Sequence, residues 1–211
     1  MWMQRIVSLL AIGLAFIGSP AARADTAPDA LIRTVSTDVI DSVKADKGIQ
    51  SGDLKKLQAL VDDKVMPYVD FQRMTSMAVG RYWRTSTPEQ QKRLMDEFKT
   101  LLIRTYAGAL TQVKDHTVQL KPMRSSPTDN EVVIRTEVRG SGTEPIQLDY
   151  RLEKAGDSWK IYDVNVLGVW LVEQYRNSFA QEIGANGVDS LINKLSEKNK
   201  AAANQPVKAK G

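Results

Sequence analysis

The sequence predicts an α+β fold, a twisted antiparallel sheet of about four strands flanked and covered by N- and C-terminal helices. Two observations carry this reading. Apolar residues recur at helical spacing up to residue 113, alternate with a period of two between Thr117 and Val166, and return to helical spacing after Gly168. The alternating runs are separated by Gly140-Ser141-Gly142 and Ala155-Gly156-Asp157, turn segments short enough to make hairpins and therefore antiparallel neighbours. A third observation bounds what holds the fold together: there is no cysteine, so neither a disulfide nor a cysteine metal site can staple it.

The first predicted helix covers 30–44, with Leu31, Val35, Val39, Ile40 and Val43 on one face, and the second covers 54–66 with Leu57, Leu60, Val61 and Val65. Asp70 is placed to cap a third, short helix whose face is Phe71, Met74, Met77 and Ala78 and which ends near Gly80. The strongest local signal is Thr87-Pro88-Glu89-Gln90. Thr87 can accept from the Gln90 amide, Pro88 suits the first helical position because its missing N–H would be unpaired there, and Gln90 can reach back to close a capping box. The helix that follows carries Leu94, Phe98, Leu101, Leu102, Thr105, Tyr106 and Leu110 and should run to about residue 113. Tyr82 and Trp83, just before it, must pack on something apolar, since two large rings left in water forfeit about 1.5–3 kcal/mol each.

Val118 and Leu120 make a short strand before Pro122. Val132, Ile134, Thr136 and Val138 then oppose Val133, Arg135, Glu137 and Arg139; likewise Ile146, Leu148, Tyr150 and Leu152 oppose Gln147, Asp149, Arg151 and Glu153. A fourth strand covers 159–166. Beyond Gly168, helical spacing resumes with Val169, Val172, Tyr175, Phe179 and Ile183, and a last helix bears Val188, Leu191, Ile192 and Leu195. Nothing in this pattern chooses between a solid core and a hollow one.

At the N-terminus, Arg5, an apolar run over 6–17 and Ala22-Arg23-Ala24 read as a signal peptide over 1–24, leaving a mature chain from Asp25. That run is too short to span a hydrocarbon core of ~30 Å. The remainder is read as one domain over 25–196 and a flexible basic tail over 197–211. The charge agrees with this division. Of the 29 basic and 25 acidic residues, two arginines lie in the leader, and five lysines and one glutamate follow Asn193. The body is therefore slightly acidic, which argues against nucleic acid as a partner.

Several segments, taken in order, resemble one family. Arg81-Tyr82-Trp83-Arg84, Thr87-Pro88-Glu89-Gln90-Gln91 with Phe98 after it, Thr105-Tyr106, Asp149-Tyr150-Arg151-Leu152, the run Trp159-Lys160-Ile161-Tyr162-Asp163-Val164 and Tyr175-Arg176-Asn177-Ser178-Phe179 are similar to the MlaC or toluene-tolerance family of periplasmic phospholipid-binding proteins. The resemblance covers roughly 31–195. It implies a carrier in the Gram-negative periplasm that shuttles glycerophospholipid between an outer-membrane lipoprotein–porin complex and an inner-membrane ABC transporter with a substrate-binding ring, maintaining outer-membrane lipid asymmetry. It also implies a sheet and helices that enclose a hydrophobic cavity for the acyl chains. The chain departs from the family pattern at Gly168-Val169-Trp170-Leu171, where an indole replaces the usual serine.

The chemistry of the residues points the same way by what it lacks. His116 is the only histidine, read as a solvated loop residue; no phosphate-binding loop, serine elbow or metal-ligand cluster is present. No enzyme activity, metal or cofactor is expected, phospholipid being the cargo. The alternatives are a carrier of another apolar cargo, a packed interaction scaffold, or an isomerase-like cone in which Asp149-Tyr150 or Tyr162-Asp163 works inside an apolar pocket. The alternation opposes the first pair by pointing Tyr150 inward and Asp149 outward.

A diacyl lipid of about 30 methylenes gives up roughly 25 kcal/mol on entering water, at ~0.8 kcal/mol each, and the carrier must nearly match that loss. The cavity should then reach the upper end of the ~300–1,000 Å³ range of ligand pockets. Its expected lining is Ile134, Val138, Leu148, Tyr150 and Leu152 from the strands, with Met74, Met77, Tyr82, Trp83, Phe98, Leu102, Tyr106, Tyr175 and Phe179 from the helical side. Flexible methionines suit varied chains. Arg81, Arg84, Arg135 and Arg139 are the expected partner-docking residues.

Overall fold

The computed structural model describes residues 27–123 and 129–203; the expected leader over 1–24 and the end of the tail, 204–211, lie outside the described residues. The chain opens with α1 (Pro28–Ala45), a four-residue α2 (Lys47–Gln50) and α3 (Leu54–Lys64). Asp46 and Asp53 cap the latter two, each side chain accepting from two backbone amides of the first turn. A 3₁₀ turn, Met66–Tyr68, leads to α4 (Phe71–Val79), where Asp70 accepts from the Arg73 amide at 2.8 Å as the sequence anticipates. Gly80 then takes a φ of 67°, and a second 3₁₀ segment, Gly80–Thr85, carries Tyr82 and Trp83. The capping box forms as read. The Gln90 amide donates to Thr87 Oγ1 at 3.2 Å and the Thr87 amide to Gln90 Oε1 at 3.0 Å, starting α5 (Pro88–Leu110).

The sheet is an antiparallel meander in chain order: β1 (Thr117–Leu120), β2 (Glu131–Arg139), β3 (Ile146–Ala155), β4 (Ser158–Val166) and β5 (Val169–Trp170). The fifth strand corrects the expectation of four. Helical spacing from Val169 suggests a helix, but Leu167 (φ 52°) and Gly168 (φ 89°) make a tight turn, the Gly168 amide donating to Asn165 Oδ1 at 2.8 Å. That turn folds Val169 and Trp170 back onto Val166 and Asn165. Only then do α6 (Leu171–Asn186) and α7 (Val188–Ala203) follow. Helix α7 continues beyond the expected domain end at 196 because Asn199 is buried against α5, its side-chain amide donating to Glu97 O at 2.9 Å and Glu97 Oε2 at 2.7 Å.

The register explains which strand residues face in. Ile134 pairs with Tyr150, and Leu148 with Thr136 and Val166, on the face towards the helices. A bulge opposite Arg151 and Leu152 makes Tyr162 the extra residue of β4. Ile161 pairs with Leu152 on the inner face, whereas Asp163 pairs with Arg151 on the outer one. Without that inserted residue, Asp163 would follow Ile161 into the core. Asp149 lies on the outer face as its parity requires, yet it is only 7% exposed, which corrects the picture of an outer face open to water there. Its cross-strand neighbours are Arg135 and Asn165, and the Gln147 amide lies 3.4 Å away.

Three apolar clusters fill the space between sheet and helices. One joins Leu31, Ile32 and Val35 of α1 to Val132, Ile134, Leu152, Trp159 and Ile161 of the sheet. Another is made by α4 to α7, with Phe98 fully buried and its ring edge-on to Tyr175 (centroids 5.0 Å apart) and Phe179 (5.3 Å). The third joins α1, α2, α3 and the far end of α5 through Val43, Leu57, Ile103 and Ala107. Val69 and Val164 touch both the sheet cluster and the α4 to α7 cluster, marking the seam between them.

Asp163 ties α6 to the sheet. Its Oδ1 accepts from the Val172 amide at 3.1 Å, in the first turn of α6, and Oδ2 receives Arg151 at 3.0 Å. Burial pushes its carboxyl above the usual range although these donors oppose the shift. Replacement by Ala leaves the helix start without its acceptor and the guanidinium with the exposed Glu173 alone, so Asp163→Ala should lower the unfolding free energy by about 3 kcal/mol in urea titrations. Glu182 plays a different part between α6 and α7. Lys194, Ser190 and Asn186 all donate to it and hold its carboxyl down at about 2, against an ordinary 4.5. Its contribution is present above pH 4.5 and is lost as pH falls through about 2. The difference in thermal midpoint between wild type and Glu182→Gln should therefore be constant near neutrality and shrink across that acid window.

Candidate functional site

The predicted lining residues do not form one continuous wall. Ile134 and Leu152 are buried in the sheet cluster, and Met74, Phe98 and Phe179 in the cluster of α4 to α7. Around the latter, Met77, Tyr82, Trp83, Leu102 and Tyr175 are half-buried; Tyr150 borders the sheet cluster and Val138 the third cluster. Leu148 and Tyr106 belong to none of the three among the described residues. Neither do Ile146 and Val166, which share the inner face with Leu148 and which the expected lining did not include. The β3–β4 end of the inner face is thus apolar and only half covered.

The tyrosines supply the few polar groups on this side. Burial pushes the Tyr150 phenol up, an effect that the nearby Ser36 and Thr136 hydroxyls oppose. Thr136 is itself fully buried and donates to Leu148 O at 2.8 Å. Burial raises the phenols of both Tyr175 and Tyr106, which lies close to it, and the nearby Thr105 opposes the shift at Tyr175.

Two open cavities lie at the edges of this core. One, of about 410 Å³, lies against the outer face and is lined by Asp129, Glu131, Val132, Val133, Arg135, Arg151 and Tyr162. Beside it, Arg73 of α4 reaches Glu153 and, at 2.6 Å, Glu131, its guanidinium 3.9 Å over the Tyr162 ring. The second cavity, of about 420 Å³, is lined by Ser76, Met77, Gly80, Arg81, Trp83, Arg84 and Arg176. The four arginines expected to act together therefore separate: Arg81 and Arg84 line one cavity and Arg135 the other. Arg139 is paired with Glu137 at 2.6 Å. Arg176, which completes the second cavity, was missed because nothing in the linear sequence brings α6 beside the 3₁₀ segment.

Trp170, the departure from the family pattern, lies on the outer face, where it pairs with Asn165 in the ladder and its ring stacks on the Arg151 guanidinium at 3.9 Å. It does not line the inner apolar face.

The groups considered for catalysis are otherwise engaged. His116 is not a solvated loop residue; it is 6% exposed, accepts from the Lys114 amide at 3.3 Å, and lies so close under Gly140 that a Cβ there would sit 2.5 Å from its ring. Asp149 and Tyr150 point to opposite faces, and Asp163 is committed to Arg151 and α6. Among the described residues no three His, Asp or Glu side chains form a metal-binding group, and no helix is long and apolar enough to cross a membrane.

Comparison with known proteins agrees with this architecture. The MlaC protein family model matches residues 33–197. The chain is 26% identical over 196 residues to the intermembrane phospholipid transport system binding protein MlaC of Haemophilus influenzae, covering 92% of this chain and 90% of that one. It is 24% identical over 188 residues to the toluene tolerance protein ttg2D of Pseudomonas putida, covering 86% and 87%. Among solved structures it is similar to the phospholipid-binding protein from Ralstonia solanacearum in complex with a phospholipid, with a TM-score of 0.80 and 46% identity over 85% of this chain and 99% of that one. With the family model spanning all but the ends of the described fold, the chain belongs to the MlaC family.

Proposed function

We propose that this chain is a periplasmic carrier of glycerophospholipid. It holds the acyl chains between the inner face of the sheet and helices α5 and α6, leaves the headgroup at the surface, and moves lipid between the outer and inner membranes to maintain outer-membrane lipid asymmetry. Its partners on this reading are an inner-membrane ABC transporter with a substrate-binding ring and an outer-membrane lipoprotein–porin complex. The observation that carries the proposal is the half-covered apolar inner face at Ile146, Leu148 and Val166, together with Leu102 and Tyr106 of α5 and Tyr175 of α6, which are also incompletely buried. Apolar surface of this kind inside a fold calls for a ligand. The phospholipid bound by the 46%-identical relative supports the choice.

The two open cavities, about 410 and 420 Å³, are smaller than the upper end of the pocket range that two acyl chains demand. Loading therefore parts the layers along the seam at Val69 and Val164, where the clusters meet without interdigitating into one core. The lipid replaces the contacts it displaces, so bound lipid stabilises the fold. Because the chains supply the affinity, selectivity among headgroups is weak, and release requires a partner that opens the layers.

Native mass spectrometry of the protein purified from a Gram-negative periplasm should show a stoichiometric adduct that organic extraction resolves into glycerophospholipids of mixed headgroup. A clean apo mass that persists after incubation with phospholipid vesicles would refute the carrier reading. Two substitutions separate lining from structural core. Ile134→Arg forces a charge into a fully packed site and should prevent folding. Leu148→Arg, outside the clusters, should leave the fold cooperative by thermal unfolding while reducing lipid loading at least about tenfold.

A further inference from the structure

The second cavity has a composition unlike the apolar seam it adjoins. Arg81 and Arg84 come from the 3₁₀ segment and Arg176 from α6, so three guanidinium groups from two elements converge on one concave site, and no carboxylate lines it. Arg81 is steadied by donating to the Tyr82 hydroxyl at 2.9 Å and lying over its ring at 4.9 Å. Arg84 and Arg176 have no hydrogen-bond or ion-pair partner among the described residues. Like charges gathered in a concavity raise the local positive potential and concentrate anions there. Of the remaining lining, Ser76 and Gly80 are small, and Met77 and Trp83 are apolar and also pack against the cluster of α4 to α7. Leu102 of α5 and Tyr175 of α6, whose ring is edge-on to Phe98, pack against that same cluster, so the cavity borders the apolar interior on this side. A ligand that fits both parts carries a compact anion joined directly to an apolar body.

We propose that Arg81, Arg84 and Arg176 form a seat for the phosphodiester of the carried glycerophospholipid, with Met77 and Trp83 receiving the first part of its chains. This rests on the carrier reading and deepens it. The arginine fork matches phosphate oxygens better than a point charge does. A seat for the phosphodiester, which all diacyl glycerophospholipids share, orients the lipid in the carrier while leaving the variable headgroup unread.

The test compares two lipids with the same palmitoyl and oleoyl chains, phosphatidylglycerol and diacylglycerol, loaded from mixed vesicles into delipidated protein and counted by native mass spectrometry. Wild type should load the phospholipid in about tenfold preference. The triple variant Arg81→Gln, Arg84→Gln, Arg176→Gln should lose most of that preference and load diacylglycerol as wild type does. All three side chains are exposed, so the variant should keep the wild-type thermal midpoint when delipidated. Wild-type preference in the variant overturns the seat while leaving the carrier reading intact; in that case glycerol 3-phosphate shifting the arginine Nε resonances of wild type would assign the site to a free anion. Loading of neither lipid by wild type overturns the carrier reading and the seat with it.

Discussion

The Asp163 carboxylate is the interaction on which the arrangement of the other elements depends. It is fully buried, and it is placed on the outer face of the sheet by a single inserted residue, Tyr162, in β4. From there it reaches the first turn of α6 and the guanidinium of Arg151, which in turn carries Trp170 and Glu173. One acidic group thus joins the edge of the sheet to the start of the helical half. The direction in which α6 leaves the sheet follows from it, and with that direction come Tyr175 and Phe179 in the apolar cluster and Arg176 at the cavity rim. Without an acceptor at that position the α6 amides would be left unpaired in a dry site, which is costly enough to fix the geometry.

The division of the apolar interior into three clusters gives this fold its character. A domain built only for stability would merge the sheet face and the helical faces into one close-packed core. Here α1 seals one end of the sheet through Leu31, Ile32 and Val35, whereas Ile146, Leu148 and Val166 at the other end are left half covered. The buried Thr136 hydroxyl on that side donates to Leu148 O, so the side chains offered at that end are mainly apolar. Such a face favours long hydrocarbon of varied structure over a shaped, hydrogen-bonding small molecule.

Electrostatics divide the surface in a matching way. On the outer face the charges are mixed and many are paired, Arg73 with Glu131 and Glu153, Arg151 with Asp163 and Glu173, Glu137 with Arg139 and Lys121, although Asp149 Oδ1 is buried without a partner among the described residues. At the end formed by the 3₁₀ segment and α6, arginines gather with no acid lining the cavity between them. An overall charge near balance in the body of the chain conceals this segregation, because the sum over residues says nothing about where side chains meet.

Local order was legible in the residues alone: the capping box at Thr87 and Gln90, the Asp70 cap, the alternating β2 and β3, and their hairpin connection all depend on neighbours a few residues away. The residues also carried the family resemblance, spread over segments from Arg81 to Phe179. Packing, by contrast, set where periodicity is broken and where residues distant in the chain converge. The β4 bulge reverses the side on which Asp163 falls, the Leu167-Gly168 turn converts the expected start of a helix into a fifth strand, and Gly140 closes over a histidine that looked solvent-facing. The separation of Arg135 from Arg81 and Arg84, and the arrival of Arg176 beside them, are likewise set by how the layers pack. The physical reason is range: capping and alternation are enforced within a turn or a strand, whereas burial, ion pairing and cavity walls depend on the register and packing of elements up to a hundred residues apart.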